Sequence, residues 1–139
     1  MTSEPNSETI ELSFPASARF IRLSRLTAAT LAAEMGFDVE GADDLRIALD
    51  ELVTVLVEGD HGALVTLCFR LDDRRLEVSG SCEQSWPDEA EPSDLLEAIL
   101  AATTDEHEVS SAPRPRSFAF AKYRRSTQAN APTNRGSLA

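Results

Sequence analysis

The chain has 139 residues, with 24 Asp plus Glu against 13 Lys plus Arg, a formal net charge of −11. That length suits one compact domain, and 42% hydrophobic with 27% charged residues is globular rather than disordered composition. So acidic a chain repels phosphate, which argues against nucleic acid and anionic membranes as partners and leaves neutral or basic surfaces.

The first elements follow from period and punctuation. Residues 1–8 are polar and contain Pro5, so a disordered N-terminus is expected there. The start has neither the basic nor the apolar region of a secretory leader. Ile10, Leu12 and Phe14 alternate with Glu11 and Ser13, which predicts a strand with one buried face, stopped by Pro15. Ser17 is placed to cap a helix in which Phe20, Leu23, Thr27, Thr30 and Leu31 recur at helical spacing and which Gly36 ends. Arg19, Arg22 and Arg25, three apart, predict a basic stripe on it. A second helix opens near Asp38 and carries an unbroken stripe of Leu45, Ala48, Leu49, Leu52 and Leu56, with Gly59 and Gly62 at its exit.

The rest of the chain reads as strands and one more helix. Leu64–Leu71 is a strand with Val65, Leu67, Phe69 and Leu71 on one face, and Asp72-Asp73 turns it into a return strand from Leu76 to about Cys82. Glu83–Pro92, with Trp86, Pro87 and Pro92, is expected to be an acidic loop. Ser93-Asp94 opens a third helix with Leu95, Leu96, Ile99 and Leu100 facing inward. Residues 105–111 form a weak strand, Pro113 and Pro115 a loop, and Phe118 and Phe120 share one face of a last strand. Residues 124–139 hold almost nothing to bury and read as a disordered tail, leaving 9–123 as the working domain. The order β-α-α-β-β-α-β-β predicts an α+β fold: a mixed, mostly antiparallel sheet covered on one face by helices.

Two strings carry a family likeness. Leu45-Arg46-Ile47-Ala48-Leu49-Asp50-Glu51-Leu52-Val53-Thr54-Val55 resembles the N-box helix of the GHKL ATPases, the histidine-kinase and Hsp90-like fold. Leu23-Ser24-Arg25-Leu26-Thr27-Ala28-Ala29-Thr30-Leu31-Ala32 is similar to the first helix of the small anti-sigma factor kinases of the RsbW and SpoIIAB type within that superfamily. The resemblance implies a GHKL-like two-layer sandwich and an anti-sigma factor. Such a protein sequesters a sigma factor, is released by an antagonist, phosphorylates that antagonist with ATP and Mg²⁺, and pairs as a homodimer through its sheet.

The nucleotide motifs that the resemblance implies are substituted in this chain. The family's second helix presents Glu and, four residues on, an Asn that binds Mg²⁺; here these positions are Glu51 and Val55, and a valine side chain has no lone pair for a hard cation. The Asp-x-Gly-x-Gly loop that reads adenine corresponds to the stretch around Gly80, but no Asp occurs between Asp73 and Asp88. No glycine occurs between Gly80 and Gly136 to build a phosphate lid. The expectation is an anti-sigma factor that works by binding, without ATP or Mg²⁺ and with Glu51 as the surviving candidate for catalysis. The alternative is a serine/threonine kinase of the antagonist.

The partner surface is better kept. Arg25 stands where the family carries a helix-1 Arg that pairs with acidic residues of the sigma factor, and the planar guanidinium suits that contact. Arg22 and Arg19 are its companions on the stripe. Cys68 alternates with core positions and reads as a packed side chain, while Cys82 is expected to be exposed in a loop. His61 and His107 have no partner at metal-ligand spacing, so no metal site is expected. Two cysteines without a CxxC pair and no apolar run of the roughly 20 residues a membrane span needs suggest a reduced, cytoplasmic setting.

Overall fold

The computed structural model describes residues 7–86 and 93–125. The elements are β1 (Glu8–Pro15), a 3₁₀ turn (Ala18–Phe20), α1 (Ile21–Met35), α2 (Val39–Val57), β2 (Leu64–Leu71), β3 (Arg75–Ser85), α3 (Asp94–Thr103), β4 (Glu106–Val109) and β5 (Pro115–Tyr123). The strands form one sheet in the order β1-β2-β3-β5-β4. Every pairing in it is antiparallel, so the parallel component of a mixed sheet is not seen among the described residues.

Strand parity sets the layers. Phe14, Val65, Leu67, Phe69, Leu71, Leu76, Val78, Cys82, Phe118 and Phe120 point to one side and join a single buried cluster with the helices. The stripe of α2 is buried at every expected position, from Leu45 through Leu56, so α2 is the central beam. It starts as expected, with the Asp38 carboxylate accepting the Gly41 N–H at 2.7 Å. In α3 the Ser93 hydroxyl accepts the Leu96 N–H at 3.0 Å.

Several local expectations are corrected. Ser17 makes no side-chain cap. Instead Asp60, in the loop after α2, accepts the Ala18 N–H at 2.7 Å. Helix α1 is rotated from its expected face: Ser24, Ala28, Leu31 and Ala32 are buried, while Leu23 and Leu26 are 38% and 62% exposed. Small residues let α1 lie close against α2, and the Ser24 hydroxyl is satisfied by the Ile21 carbonyl at 2.7 Å. Leu95 of α3 is likewise exposed, whereas Leu96 and Leu100 are buried. Strand β3 runs on to Ser85, so Cys82 lies in a strand and is buried. Residues 87–92 of the expected acidic loop lie outside the described residues, as do 1–6 and 126–139 of the expected disordered ends. Glu8 pairs with Leu71, and the Arg124 N–H donates to the Arg74 carbonyl at 2.7 Å, so order extends slightly past both expected boundaries.

Candidate functional site

Two regions hold the candidate residues: the first turns of α1, and the end of α2 with the strands beneath it. On α1, Arg22, Leu23, Arg25 and Leu26 are all exposed. Arg19 does not share their helix. It lies in the 3₁₀ turn, with its guanidinium 4.6 Å from the centre of the Phe20 ring, so the expected three-residue stripe is broken before α1 begins. Arg25 Nε donates to Asp50 Oδ1 of α2 at 2.7 Å; the Arg25 side chain is 51% exposed and that of Asp50 24%. This hydrogen bond, reinforced by the carboxylate charge, holds the Arg25 guanidinium above its usual pKa. The first turn of α1 contains no acidic residue and its last turn no basic one. Arg22 sits in the first turn of α1, at the positive end of the helix dipole, where a cation weakens a helix, while Arg25, in the next turn, is tied to Asp50 of α2.

Glu51, next to Asp50, is exposed on α2, and its carboxylate has no hydrogen-bond or ion-pair partner among the described residues. Val55, one turn on, is half-buried and packs against the core. Gly80 is not in a loop. It sits in mid-strand in β3, opposite Leu67 and Phe118. A Cβ there would lie 2.7 Å from Leu67 Cδ2 and from two atoms of the Phe118 ring. The structure thus gives Gly80 a packing reason, set by the side chains on either side.

The last turn of α2 is closed by the protein's own groups. Arg116 Nη1 donates to the Val55 and Glu58 carbonyls, both at 3.1 Å, and its Nε donates to the Ser85 carbonyl at 3.4 Å. Leu56 O receives the Cys82 Sγ at 3.6 Å and meets His61 Nε2 at 2.9 Å. Val57 O accepts the Asp60 N–H at 2.8 Å. The carbonyls that a helix end leaves over are therefore accounted for from Val55 to Glu58. The guanidinium also complements the negative end of the dipole. Arg116 is only 7% exposed, and its Cζ lies 5.5 Å from the centre of the Trp86 ring, whose Nε1 donates to Ser110 Oγ at 2.9 Å.

The positions of Val55 and Gly80 do not fit a magnesium-bridged triphosphate. The Val55 side chain offers no oxygen and its carbonyl is bound by a cation, and the Gly80 backbone is enclosed in the sheet. His107 is engaged with Glu97 at 3.1 Å and Thr104 at 3.2 Å, far from both regions in the chain, and Cys68 is half-buried on the helix-free face of the sheet. Sequence reasoning missed Asp50, Asp60 and Arg116. The parity of β5 carried a signal for Arg116, since it shares the inward face of Phe118 and Phe120.

No protein-family profile matches the chain. It is 34% identical over 73 residues to the serine-protein kinase RsbW of Halalkalibacterium halodurans, covering 51% of this chain and 45% of that protein. It is 37% identical over 75 residues to the serine-protein kinase RsbW of Bacillus mycoides, covering 51% and 46%. The chain spans about half the length of these curated relatives. The crystal structure of the RsbU and RsbW domains of Rv1364c from Mycobacterium tuberculosis superposes with a TM-score of 0.68 over 86% of this chain and 33% of that one, at 17% identity, which speaks for a shared fold. The chain is thus similar in sequence to RsbW proteins over about half its length, and it shares with the solved structure an α+β fold with helices on one face of its sheet.

Proposed function

We propose that the chain is an anti-sigma factor that acts by binding. Its α1 face holds a sigma factor, and an antagonist protein releases it by taking the overlapping surface. The observation that carries this reading is the exposed group Arg22, Leu23, Arg25 and Leu26, a basic and apolar patch on a chain of net charge −11. A partner with acidic and apolar side chains on one helix face matches it, and the reversal of local charge orients the encounter. Competition between two partners needs only a difference in affinity. The working domain of this reading is 9–123, its setting is the cytoplasm, and it works as a homodimer through the helix-free face of the sheet, around Leu64, Thr66 and Cys68. No described helix is long and apolar enough to cross a membrane.

A second reading, phosphorylation of the antagonist, is favoured by the name serine-protein kinase that the relatives carry and by the free carboxylate of Glu51. The substituted nucleotide positions speak for binding alone. Two measurements separate the readings. The tagged chain, co-expressed with the cell's own sigma factors, is expected to co-purify with one of them, and Arg25→Glu to lose it. Calorimetry with Mg-ATP is expected to give no heat of binding. Micromolar binding that Glu51→Ala abolishes would establish the kinase reading, and recovery of no sigma factor would end the first.

A further inference from the structure

We infer that Asp50 is a positioning residue for the docking arginine: it holds Arg25 by Nε alone and leaves the terminal edge of the guanidinium to a partner's carboxylate. The inference rests on the α1 docking reading and adds a residue that the likeness to other proteins does not assign.

A guanidinium has two edges that fit a carboxylate, one made of Nε and one Nη, the other of both Nη groups. The bond from Arg25 to Asp50 is single, from Nε to Oδ1 at 2.7 Å. Neither Nη of Arg25 has a hydrogen bond among the described residues, and the side chain is half exposed. An internal competitor for the partner would grip the fork with both its oxygens, and this contact does not. Asp50 is suited to hold a long side chain still. It is less exposed than Arg25, and it stands on the central beam between buried Leu49 and exposed Glu51. An arginine already held at Nε loses less rotamer freedom when the partner arrives, so part of the ordering cost of binding is met in the free protein.

The alternatives make opposite predictions. A competitor would release Arg25 when removed, so Asp50→Ala and Asp50→Asn would both bind more tightly. A merely structural strut between α1 and α2 would leave affinity unchanged. A positioning residue gives a split: Asp50→Ala weakens binding about three- to tenfold, the range expected for freeing one long side chain. Asp50→Asn keeps an acceptor oxygen for Nε and rescues most of that loss.

The test is titration of the purified sigma factor identified by co-purification into the full chain and these two variants, with Arg25→Glu as reference. Equal melting temperatures in the variants confirm that the fold is intact. A large loss in Arg25→Glu together with a weakened Asp50→Ala and a near-normal Asp50→Asn supports the proposal. The same loss in Arg25→Glu with unchanged or tighter binding in both Asp50 variants overturns it and spares the docking reading. No loss in Arg25→Glu overturns both. A measurement without any partner adds a second arm. By nitrogen-15 relaxation, the Arg25 Nε–H is expected to be restricted in the parent and in Asp50→Asn, and averaged in Asp50→Ala. Free rotation in the parent would equally defeat the inference.

Discussion

Two neighbouring parts of the helical layer have been treated in opposite ways. At the end of α2, the carbonyls from Val55 to Glu58 are each met by a side chain or turn from elsewhere in the chain, and a buried arginine is set among them. At the start of α1, two leucines and two arginines are left to solvent. Groups with hydrogen-bonding capacity are used up in the first region and held available in the second. The contrast sets a rigid floor beside a surface left open to solvent, and it can be broken one residue at a time.

The largest effect is expected at Gly80. Alanine there drives a methyl into Leu67 and Phe118, so Gly80→Ala should cost about 3 kcal/mol in urea unfolding. A loss below about 1 kcal/mol would mean that the sheet gives way easily, and the floor would not be rigid. Next comes Arg116→Ala, which strips the cation from three carbonyls; we expect about 2 kcal/mol of lost stability. No change would show that water serves the α2 end as well, and the contrast between the two parts would weaken. On the open surface the expected readout is different in kind. Arg25→Glu should remove about 2 kcal/mol of partner affinity while leaving the melting temperature in place. The smallest change is expected where the two regions meet. Asp60 caps the 3₁₀ turn ahead of α1 from the loop that follows α2, and it has a positive φ of 46° that glycine tolerates. Asp60→Gly removes that hydrogen bond while easing the positive φ, so it should cost less than about 1 kcal/mol, seen as a modest fall in melting temperature, and should loosen the entry to α1.

What the sequence disclosed follows the same division. The α2 stripe from Leu45 to Leu56 and the alternation in β2 were legible because apolar side chains filled the inward positions. Helix α1 misled because its buried face is mostly small, with Ser24, Ala28 and Ala32 beside Leu31, while Leu23 and Leu26 face outward. A count of bulky residues finds the wrong side of such a helix. Cys82 was misplaced because β3 continues beyond the apolar run that announced it. The closing role of Arg116 had no local trace, since its partners lie about sixty positions back along the chain. Only its parity with Phe118 and Phe120 pointed inward, toward a charge that would need company in the core. Arg25 was found through the family likeness, and its tie to Asp50 emerged only when α1 and α2 were laid side by side.

The outermost strands carry a consequence of their own. Glu8 and Glu11 mark β1, and β4 is only four residues long with Glu106 and Glu108. Carboxylates along one rim and a stub at the other discourage a foreign strand from zipping on, so stacking into ribbons or fibres is held off. A second copy of the chain would then have to meet it face to face rather than edge to edge.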